Sequence, residues 1–528
     1  MVETEPTARA RPRWVAWLGV VGVVVALAWA IIGYRVAVVA PEHEAGIRGY
    51  GVVAGGDHMY YGSMMLQFGG TPFAQSLQQT AEWFDYPLEW QRISTGYIDP
   101  NLAPLIYPRP GQPLVGAAFE PIFGLDAIMV PGILAALAIP FAAYLAARRM
   151  RATQWIAIPL ILLLLSRVFE ENGAGVYPEA LLGLCLLGAA ATLPWDRRRV
   201  SPADLAWLVF FIVLGTLTRQ MSPAFIGLAG GALAWGLIFE RDRRGWWRSW
   251  WLPTAVTTVL AGVGALLTQW WAPYDILAWA QRSTESASHK EGLLRSVLRI
   301  PTMFTTGLEQ YFRNDPVFFV LLVLGAVAVI FVFRHPIVGA FLGTAAPLVL
   351  SVGLNGTGPF RYTEPALPIL VLVIAVALGG LTRPEVRRAP LAPIVTPTAA
   401  GERRGLRWAP LTLTVVPLAL AVTLVAATVV VYQPSKAVDV GELSADDLEG
   451  AWPLTVPRLE LSCGGDDGQV WGRTPDGQRI SVTGTAEARS PGTMAVGRIA
   501  IGNRNVRMST AEVVRVAVER CPTPVPLP

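Results

Sequence analysis

Charge is scarce in this sequence, and lysine is almost absent from it. Only 15% of the 528 residues are charged, whereas 53% are hydrophobic and the mean hydropathy is +0.45. A soluble chain of this length carries more charge, so the composition excludes a soluble globular protein and predicts a polytopic membrane protein. The 42 basic residues include only two lysines, Lys290 and Lys436. This preference for arginine is typical of a GC-rich bacterial genome, and we infer no binding surface from it.

The sequence also lacks the motifs of nucleotide-driven and metal-dependent proteins. It contains no P-loop, no dinucleotide-binding glycine pattern, no zinc-ligand spacing and no internal repeat. The missing nucleotide-binding domain argues against an ATP-driven transporter. Secondary transporters usually carry internal repeats and helices broken near the bilayer midplane, and the sequence shows neither. The net charge of +4 comes from arginines in short loops beside apolar segments, so it indicates membrane topology and no nucleic-acid partner.

Long apolar segments are what the sequence has in abundance. A helix needs about 20 apolar residues to cross the hydrocarbon layer, and about 11 segments reach or approach that length. They predict an all-α polytopic membrane protein with about 11 transmembrane helices. The predicted spans are 14–37, 126–147, 153–169, 176–195, 203–218, 221–239, 250–271, 316–333, 337–354, 362–381 and 409–432.

Arginine-rich short loops alternate with loops that are poor in arginine, and this alternation predicts the orientation. Basic loops stay in the cytoplasm. We therefore expect a cytoplasmic N-terminus and an extracytoplasmic C-terminus in a bacterial plasma membrane. The first helix lacks a small-residue cleavage site, so we expect a retained anchor. The basic stretches that fall on one side of the predicted spans are 9–13, 148–151, 197–199, 241–248, 334 and 383–407.

Three long connections follow from this topology. The first outer loop is 38–125, and a second outer loop, 272–315, joins the seventh and eighth spans. The second loop is polar and long enough to cover an active site, although a simply solvated connection would have the same composition. A linker rich in proline and arginine at 382–408 lies on the cytoplasmic side and separates residues 1–381 from the last span at 409–432.

The tail at 433–528 differs in composition from the rest of the chain. Gly-Gly-Asp-Asp-Gly at 464–468 and Pro-Asp-Gly at 475–477 are turn signals beside short stretches of alternating hydrophobicity. They predict a small extracytoplasmic β-rich domain. A helix is expected within it near residues 510–520.

The three cysteines fit this placement. Cys185 lies inside an apolar segment and is expected to be inert packing. Cys463 and Cys521 both lie in the tail, which the charge pattern places outside the cytoplasm, where disulfides persist. We therefore expect Cys463 and Cys521 to form a disulfide.

The first candidate site is Gly-Gly-Asp-His-Met-Tyr-Tyr at 55–61, directly after the first apolar segment. Asp57, with Tyr60 and Tyr61 close behind it, stands where a membrane enzyme would hold a catalytic base on its outer face. The alternative is structural, since aspartate is a favoured N-cap and Asp57 would then simply start a helix.

Two further candidates lie near the outer ends of predicted helices. Arg109 stands in the proline-rich stretch 107–114, where it would terminate a loop or, as a forked donor, bind an anionic head group. Glu170 lies in the short loop before the fourth span, and Glu179 opens that span. Carboxylates at a membrane-embedded helix end are costly unless paired or wet, so they mark a cavity more often than chance. Glu179 would alternatively be a first-turn carboxylate that the helix dipole favours.

Two arginines are predicted on the outer face, against the usual distribution of positive charge. Arg219 follows the fifth span, and Arg361 with Tyr362 opens the tenth. Each needs a local anionic partner or a ligand. A lipid phosphate would supply one, whereas an Arg361 to Glu364 pair would only stabilise the start of the helix.

Taken in order, these motifs resemble the GT-C glycosyltransferases. The order is a first helix, an outer loop that begins Gly-Asp-x-x-Tyr-Tyr at 56–61, a proline-rich approach to an amphipathic stretch, Thr-Arg-Gln at 218–220, and Arg-Tyr-x-x-Pro-x-x-Pro at 361–368. The chain looks most similar to the protein-mannosyltransferase-like and aminoarabinose-transferase-like enzymes. The resemblance covers residues 14–381.

The resemblance implies a membrane enzyme that moves a sugar from a polyprenyl-phosphate carrier to an acceptor at the outer face. By position, Asp57 would be the base, and Arg219 and Arg361 would hold the carrier phosphate together with Arg109. The residues expected to bind substrate are Tyr60, Tyr61, Glu170, Glu179 and Tyr362.

The motifs do not by themselves identify the acceptor, a metal or the function class. Many members of the family carry two adjacent acidic residues in the first loop, whereas this chain has Asp57-His58, so an envelope glycan, a lipid or a protein all stay open as acceptors. Some members use a divalent metal; we predict none here and no other cofactor. Membrane lipids are the remaining expected partner. A lipid or sugar transporter and a non-catalytic scaffold that displays the C-terminal domain stay open as alternatives.

Overall fold

The structure is a computed structural model, and it describes residues 57–71, 75–76, 79–80, 109–166, 168–169, 177–195, 200–240, 244–269, 293–355, 359–382, 409–431, 438–449, 451–464, 469–482, 493–495 and 510–520. These residues are mostly helical, with one small sheet. The first predicted span, 14–37, lies outside them.

The helices follow the apolar segments of the sequence. They are α1 (Asp57–Phe68), α2 (Gly111–Ala117), α3 (Glu120–Phe123), α4 (Val130–Arg149), α5 (Ala157–Leu165), α6 (Glu179–Thr192), α7 (Pro202–Thr218), α8 (Ser222–Phe239), α9 (Leu252–Gln269), α10 (Leu293–Asn314), α11 (Pro316–Phe331), α12 (Pro336–Asn355), α13 (Pro359–Thr363), α14 (Leu367–Thr382) and α15 (Ala409–Val431).

Four helical stretches of the described chain are long and apolar enough to cross a membrane. They are Glu120–Arg149, Ser222–Phe239, Arg244–Leu267 and Phe360–Leu381. Several other helices are apolar but shorter, such as α5 with nine residues. These apolar helices indicate a membrane protein, and the total of about 11 spans stays a prediction from hydropathy.

The chain divides into two compact units. The larger, called the membrane unit here, comprises Met1–Ala40, Met129–Leu266 and Ala287–Leu424. The second unit comprises Pro41–Ile128, Leu267–Ser286 and Val425–Pro528. The division does not follow the order of the chain, because Pro41–Ile128 groups with the tail rather than with the helices that follow it.

The closest helix packing in the membrane unit joins α8 and α12 through glycines. Gly227 and Gly231, four residues apart on α8, face Gly343 and Gly339 on α12, so the two helices run antiparallel. A Cβ on any of these four glycines would overlap backbone or side-chain atoms of the other helix. Small residues at such spacing let helix backbones approach closely in a membrane, where packing replaces the hydrophobic driving force.

One end of the membrane unit is basic and rich in tryptophan. Arg149, at the end of α4, pairs with Asp204 at 2.5 Å and donates to the carbonyl oxygen of Thr192 at 3.2 Å. Asp204 also closes a capping box with Ser201 at the start of α7. Trp251 packs against both Trp195 and Trp247, with 4.9 Å between ring centroids in each pair. Arginine and tryptophan together are typical of a membrane–water boundary.

The opposite end of the unit carries a buried carboxylate that joins two segments. Asp315 caps α11, because its Oδ1 accepts from the backbone N–H of Phe318 at 2.9 Å. Its Oδ2 accepts from the backbone N–H of Val168 at 3.0 Å. Asp315 therefore holds the chain after α5 against the start of α11.

Within the predicted outer loop 272–315, residues 293–314 form the 22-residue helix α10. This helix packs against α11, α12 and α13. Its mixed composition hid it from a search for apolar segments, because polar and apolar residues alternate with the period of a helix rather than forming a run.

The tail forms the small β-rich fold that its turn signals predict. Its strands are β1 (Val438–Ser444), β2 (Arg458–Gly464), β3 (Gln469–Arg473), β4 (Arg479–Ser481) and β5 (Thr493–Ala495), in that order across the sheet. The first four strands pair antiparallel in succession, and β5 lies parallel to β4.

A helix covers the core of this sheet, and it lies where the sequence predicts it. The helix, α16 (Ala511–Arg520), buries Val513 and Ala517, which are four residues apart and so share one face. Its last residue, Arg520, pairs with Asp447 in the 3₁₀ turn Ala445–Asp447 that follows β1. The backbone N–H of Ser444, which donates to Asp447 at 2.7 Å, and the Arg520 guanidinium hold the pKa of Asp447 below its ordinary value.

Gly227→Ala is expected to destabilise the membrane unit by about 1–3 kcal/mol, because the added methyl group overlaps the backbone of α12 and the closely packed helices cannot give way. Gly230→Ala on the same helix is the control, since open space surrounds that position; it should be neutral or stabilising by up to about 1 kcal/mol. Thermal unfolding of the purified chain in detergent measures both. Equal melting temperatures would contradict the glycine contact.

Candidate functional site

The candidate site is built around Glu179, the first residue of α6. Pro178 precedes the helix with helical backbone angles, which suits proline at a helix start. The carboxylate therefore sits in the first turn, where the helix dipole favours it. Glu179 is completely buried. A buried carboxylate in a helix bundle needs partners, because leaving water costs it several kcal/mol.

The first partner arrives at the end of α7. Arg219 has an extended backbone (φ −157°, ψ 136°) that ends the helix, and α8 begins three residues later with proline at its second position. The chain thus makes a tight turn between α7 and α8. Only 2% of the Arg219 side chain is exposed.

The second partner lies on the short helix α13. Arg361 belongs to Pro359–Thr363, and a single 3₁₀ turn, Glu364–Ala366, separates it from α14. Prolines at 365 and 368 break the regular helix here. The turn packs on α6, where a Cβ on Gly183 would lie 3.5 Å from Pro368 and 3.6 Å from Pro365.

Both arginines meet the same oxygen of Glu179. Nη1 of Arg219 donates to Oε1, and Nε of Arg361 donates to Oε1 at 3.0 Å. Three segments that are distant in the sequence therefore converge on one atom. The sequence predicted all three residues at the outer helix ends, and the structure brings them together.

Two tyrosine rings cover the guanidinium groups. Arg361 stacks on Tyr177, with 3.6 Å from Cζ to the ring centroid. Arg219 lies over Tyr362 at 4.2 Å, and Arg361 approaches the same ring at 5.7 Å. An aromatic face attracts a cation more strongly when water is excluded, so the rings stabilise both guanidinium groups within the bundle.

Two guanidiniums share the one carboxylate of Glu179, and a second carboxylate, Glu364, is buried in the 3₁₀ turn that follows α13. Arg361 is the accessible member of the pair of arginines, with 23% of its side chain exposed. Oε2 of Glu179 is buried and has no hydrogen-bond partner among the described residues. The arrangement therefore joins two cations to a single carboxylate oxygen, with one of the cations partly open to its surroundings.

Further polar side chains are concentrated around Arg219. Thr218, Gln220 and Ser222 are all buried at the junction of α7 and α8. The hydroxyl of Thr218 donates back to the carbonyl oxygen of Leu214 at 2.7 Å. Polar groups at this density are rare in a membrane bundle and usually face a binding site or a water-filled cavity.

The other predicted site residues belong to the second unit or lie outside the described chain. Asp57 is the first residue of α1, which agrees with the helix-start interpretation and leaves a catalytic role open. Tyr60 lies in the same helix, Tyr61 is buried there, and Arg109 is buried immediately before α2. Glu170 lies outside the described residues.

Neither the predicted disulfide nor a metal site is tested by the structure. Cys463 lies on β2, and its predicted partner Cys521 lies outside the described residues. Cys185 is a free, buried thiol in α6, as expected for packing. Within the described ranges, no group of three or more histidine, cysteine, aspartate or glutamate side chains lies close enough to hold a metal ion.

Tyr177 is the member of the cluster that the sequence analysis did not single out as a site residue. Its signal was an aromatic residue next to Pro178 and Glu179 at the start of a helix. That signal is weak, because tyrosine is common at the ends of membrane helices for interfacial reasons alone.

Comparison of the chain with models of known protein families, with curated proteins and with solved structures finds no match. The cluster therefore has to be interpreted from its own chemistry.

Glu179→Ala is expected to destabilise the membrane unit by about 3–5 kcal/mol, because it leaves two arginines buried without their counter-charge. The matched control is Glu309→Ala on α10. Glu309 pairs with Arg313 at 2.9 Å, but both side chains are mostly exposed, so its loss should cost no more than about 0.5 kcal/mol. Thermal or denaturant unfolding of the full chain measures both changes, and a similar cost for the two variants would refute the importance of the buried cluster.

Proposed function

We propose that this protein is a membrane glycosyltransferase that transfers a sugar from a polyprenyl-phosphate donor to an acceptor on the extracytoplasmic face. The observation that carries the proposal is the convergence of Arg219 and Arg361 on Glu179 at one end of the helix bundle. The resemblance to GT-C glycosyltransferases assigns the donor phosphate to these same two arginines.

The charge of the cluster suits a phosphodiester. A sugar linked to a lipid through a single phosphate carries one negative charge, which the two guanidiniums that meet on Glu179 would attract. When the bond to the sugar breaks, the lipid phosphate gains negative charge. Preorganised guanidiniums in a site of low dielectric stabilise such developing charge without having to reorganise.

Each residue then has a defined task in the transfer. Asp57 takes the proton of the acceptor hydroxyl, whose oxygen attacks the anomeric carbon of the sugar. The bond between that carbon and the phosphate oxygen breaks, and the lipid phosphate departs with the electron pair. Arg361, the more exposed guanidinium, contacts the phosphate directly, and Arg219 supports it from within the bundle.

The orientation of the protein is part of the proposal. The basic end, with Arg149 and the tryptophan cluster, faces the cytoplasm, as the distribution of arginine predicts. Glu179, Arg219 and Arg361 then face outward, and so does the β-rich tail. The carrier lipid supplies an already activated leaving group, so no nucleotide is needed on that face.

Asp57→Asn is expected to lower kcat by about 10²–10⁴-fold, the usual contribution of a positioned base, with a smaller effect on donor affinity. The assay follows radiolabelled sugar from polyprenyl-phosphate mannose, glucose or arabinose into an envelope fraction, with the full chain in lipid vesicles. Glu120→Gln, a carboxylate in the same unit, is the control and should keep parental activity. Undiminished transfer by the Asp57 variant, or no transfer by the parent from any of the donors, would overturn the assignment.

Arg361→Lys is expected to weaken binding of polyprenyl phosphate by roughly 1.5–3 kcal/mol, because lysine keeps the charge but loses the forked donor and the ring stacking. Arg148→Lys, at an exposed position on the basic end of α4, is the control and should bind as the parent does. Calorimetric titration of the purified chain with polyprenyl phosphate gives both affinities. Equal affinities for the two variants would show that the arginine cluster does not bind the donor phosphate.

A further inference from the structure

Helix α10 differs from the neighbouring helices because it has three distinct faces. The first face packs on the membrane unit. Its residues Ile300, Phe304 and Gly307 are three or four positions apart and are partly or fully buried, against α11, α12 and α13. The ring of Phe304 meets that of Phe360 at 5.5 Å between centroids.

The second face of α10 is polar and exposed. Its members recur at alternating intervals of three and four residues, so they form one stripe along the helix. They are Arg299, Thr302, Thr306, Glu309 and Arg313. A helix with such a stripe cannot cross a bilayer surrounded by lipid, because these groups would lose their water.

The third face is mainly apolar, and most of it is not covered by the rest of the protein. It consists of Val297, Leu298, Pro301, Leu308 and Phe312, with Thr305 among them. The Thr305 hydroxyl donates to the carbonyl oxygen of Thr302 at 2.9 Å. Leu298 and Phe312 are 66% and 60% exposed. Large apolar side chains this open to their surroundings, aligned in one stripe, mark a surface that meets another apolar phase or partner.

The exposed stripe continues onto the outer surface of the next helix. Phe312 contacts Phe319 of α11, with 4.9 Å between ring centroids. Beside it, α11 carries an outward row at intervals of three and four residues. This row consists of Val320, Val323, Val327 and Ile330, which are 45% to 77% exposed.

A row of this kind on an apolar helix of a membrane protein is a lipid-facing surface. Because Phe312 joins the stripe of α10 to it without a gap, the same phase covers both. The polar stripe of α10 adds the second half of the pattern, since a helix with adjacent apolar and polar faces lies in the boundary between acyl chains and head groups.

We propose that α10 is an interfacial helix, with Leu298 and Phe312 in contact with membrane lipid and the stripe of Arg299, Thr302, Thr306, Glu309 and Arg313 in the aqueous layer. The partner of this surface is the lipid bilayer itself. Phe304 packs on Phe360, the residue before Arg361, so the helix holds the arginine turn close to the depth of the lipid head groups. It would do so whatever reaction the cluster serves.

Photo-crosslinking tests this placement in the full-length chain. The crosslinking amino acid p-benzoylphenylalanine replaces Leu298 or Phe312 in the apolar stripe, and Thr302 or Thr306 in the polar stripe as matched controls on the same helix. Each variant is irradiated in vesicles of phosphatidylethanolamine and phosphatidylglycerol, and lipid adducts are measured by mass spectrometry. We expect at least about fivefold more lipid adduct from positions 298 and 312, because only they reach the acyl chains.

Three outcomes would overturn the proposal. Equal lipid adducts from both stripes would place the whole helix within the bilayer, and no lipid adducts from either stripe would place it in water. Crosslinked dimers from positions 298 and 312, without lipid adducts, would show that a second copy of the chain covers the stripe.

A measurement on the unsubstituted chain keeps the test independent of whether the variants fold. Hydroxyl radicals oxidise exposed aromatic rings, and the ring of Phe312 is open in the protein itself. In the same vesicles we expect Phe312 to be protected, with a several-fold rise in oxidation when detergent replaces the bilayer by a mobile micelle. Strong oxidation of Phe312 in intact vesicles would contradict its contact with lipid.

Discussion

A single buried carboxylate oxygen is the point on which one end of the helix bundle depends. Oε1 of Glu179 accepts from both Arg219 and Arg361, so three segments of the chain share one acceptor. None of the three charges would be stable there alone, because each would pay its desolvation without compensation. Two tyrosine rings replace part of the lost hydration. The same arrangement sets two guanidiniums against one shared carboxylate oxygen, which favours the approach of an anion.

The glycine contact between α8 and α12 explains how the two arginines are brought to the same place. Arg219 lies just before α8 begins, and Arg361 lies just after α12 ends. Since the two helices run antiparallel and touch through their backbones, these ends lie on the same side of the bundle. A larger residue at Gly227 or Gly343 would separate the helices and so move the two turns apart. The glycine contact, although it involves no reactive side chain, thus sets the geometry of the charged site.

Part of this arrangement could be predicted from the sequence. The distribution of arginine among the loops predicted Glu179, Arg219 and Arg361 at helix ends on one face. Turn signals predicted the β-rich tail, and the helix predicted near 510–520 is observed at Ala511–Arg520. The pairing of the three residues could not be predicted, because it depends on how each helix is rotated about its axis. Helix α10 was missed since its stripes give no apolar run. Tyr177 was missed because a tyrosine at a helix end has an ordinary interfacial explanation.

The order of the cluster's residues along the chain also bears on how the protein enters its membrane. Glu179 and Arg219 stand on successive helices, α6 and α7, which pack together, and Arg361 follows much later in synthesis. A helical hairpin can therefore bring the first two charges into the bilayer as a neutral pair, which lowers the cost of inserting either one. Arg361 then joins a pair that is already formed. The last of the three charges to be synthesised is also the one that remains partly open to its surroundings.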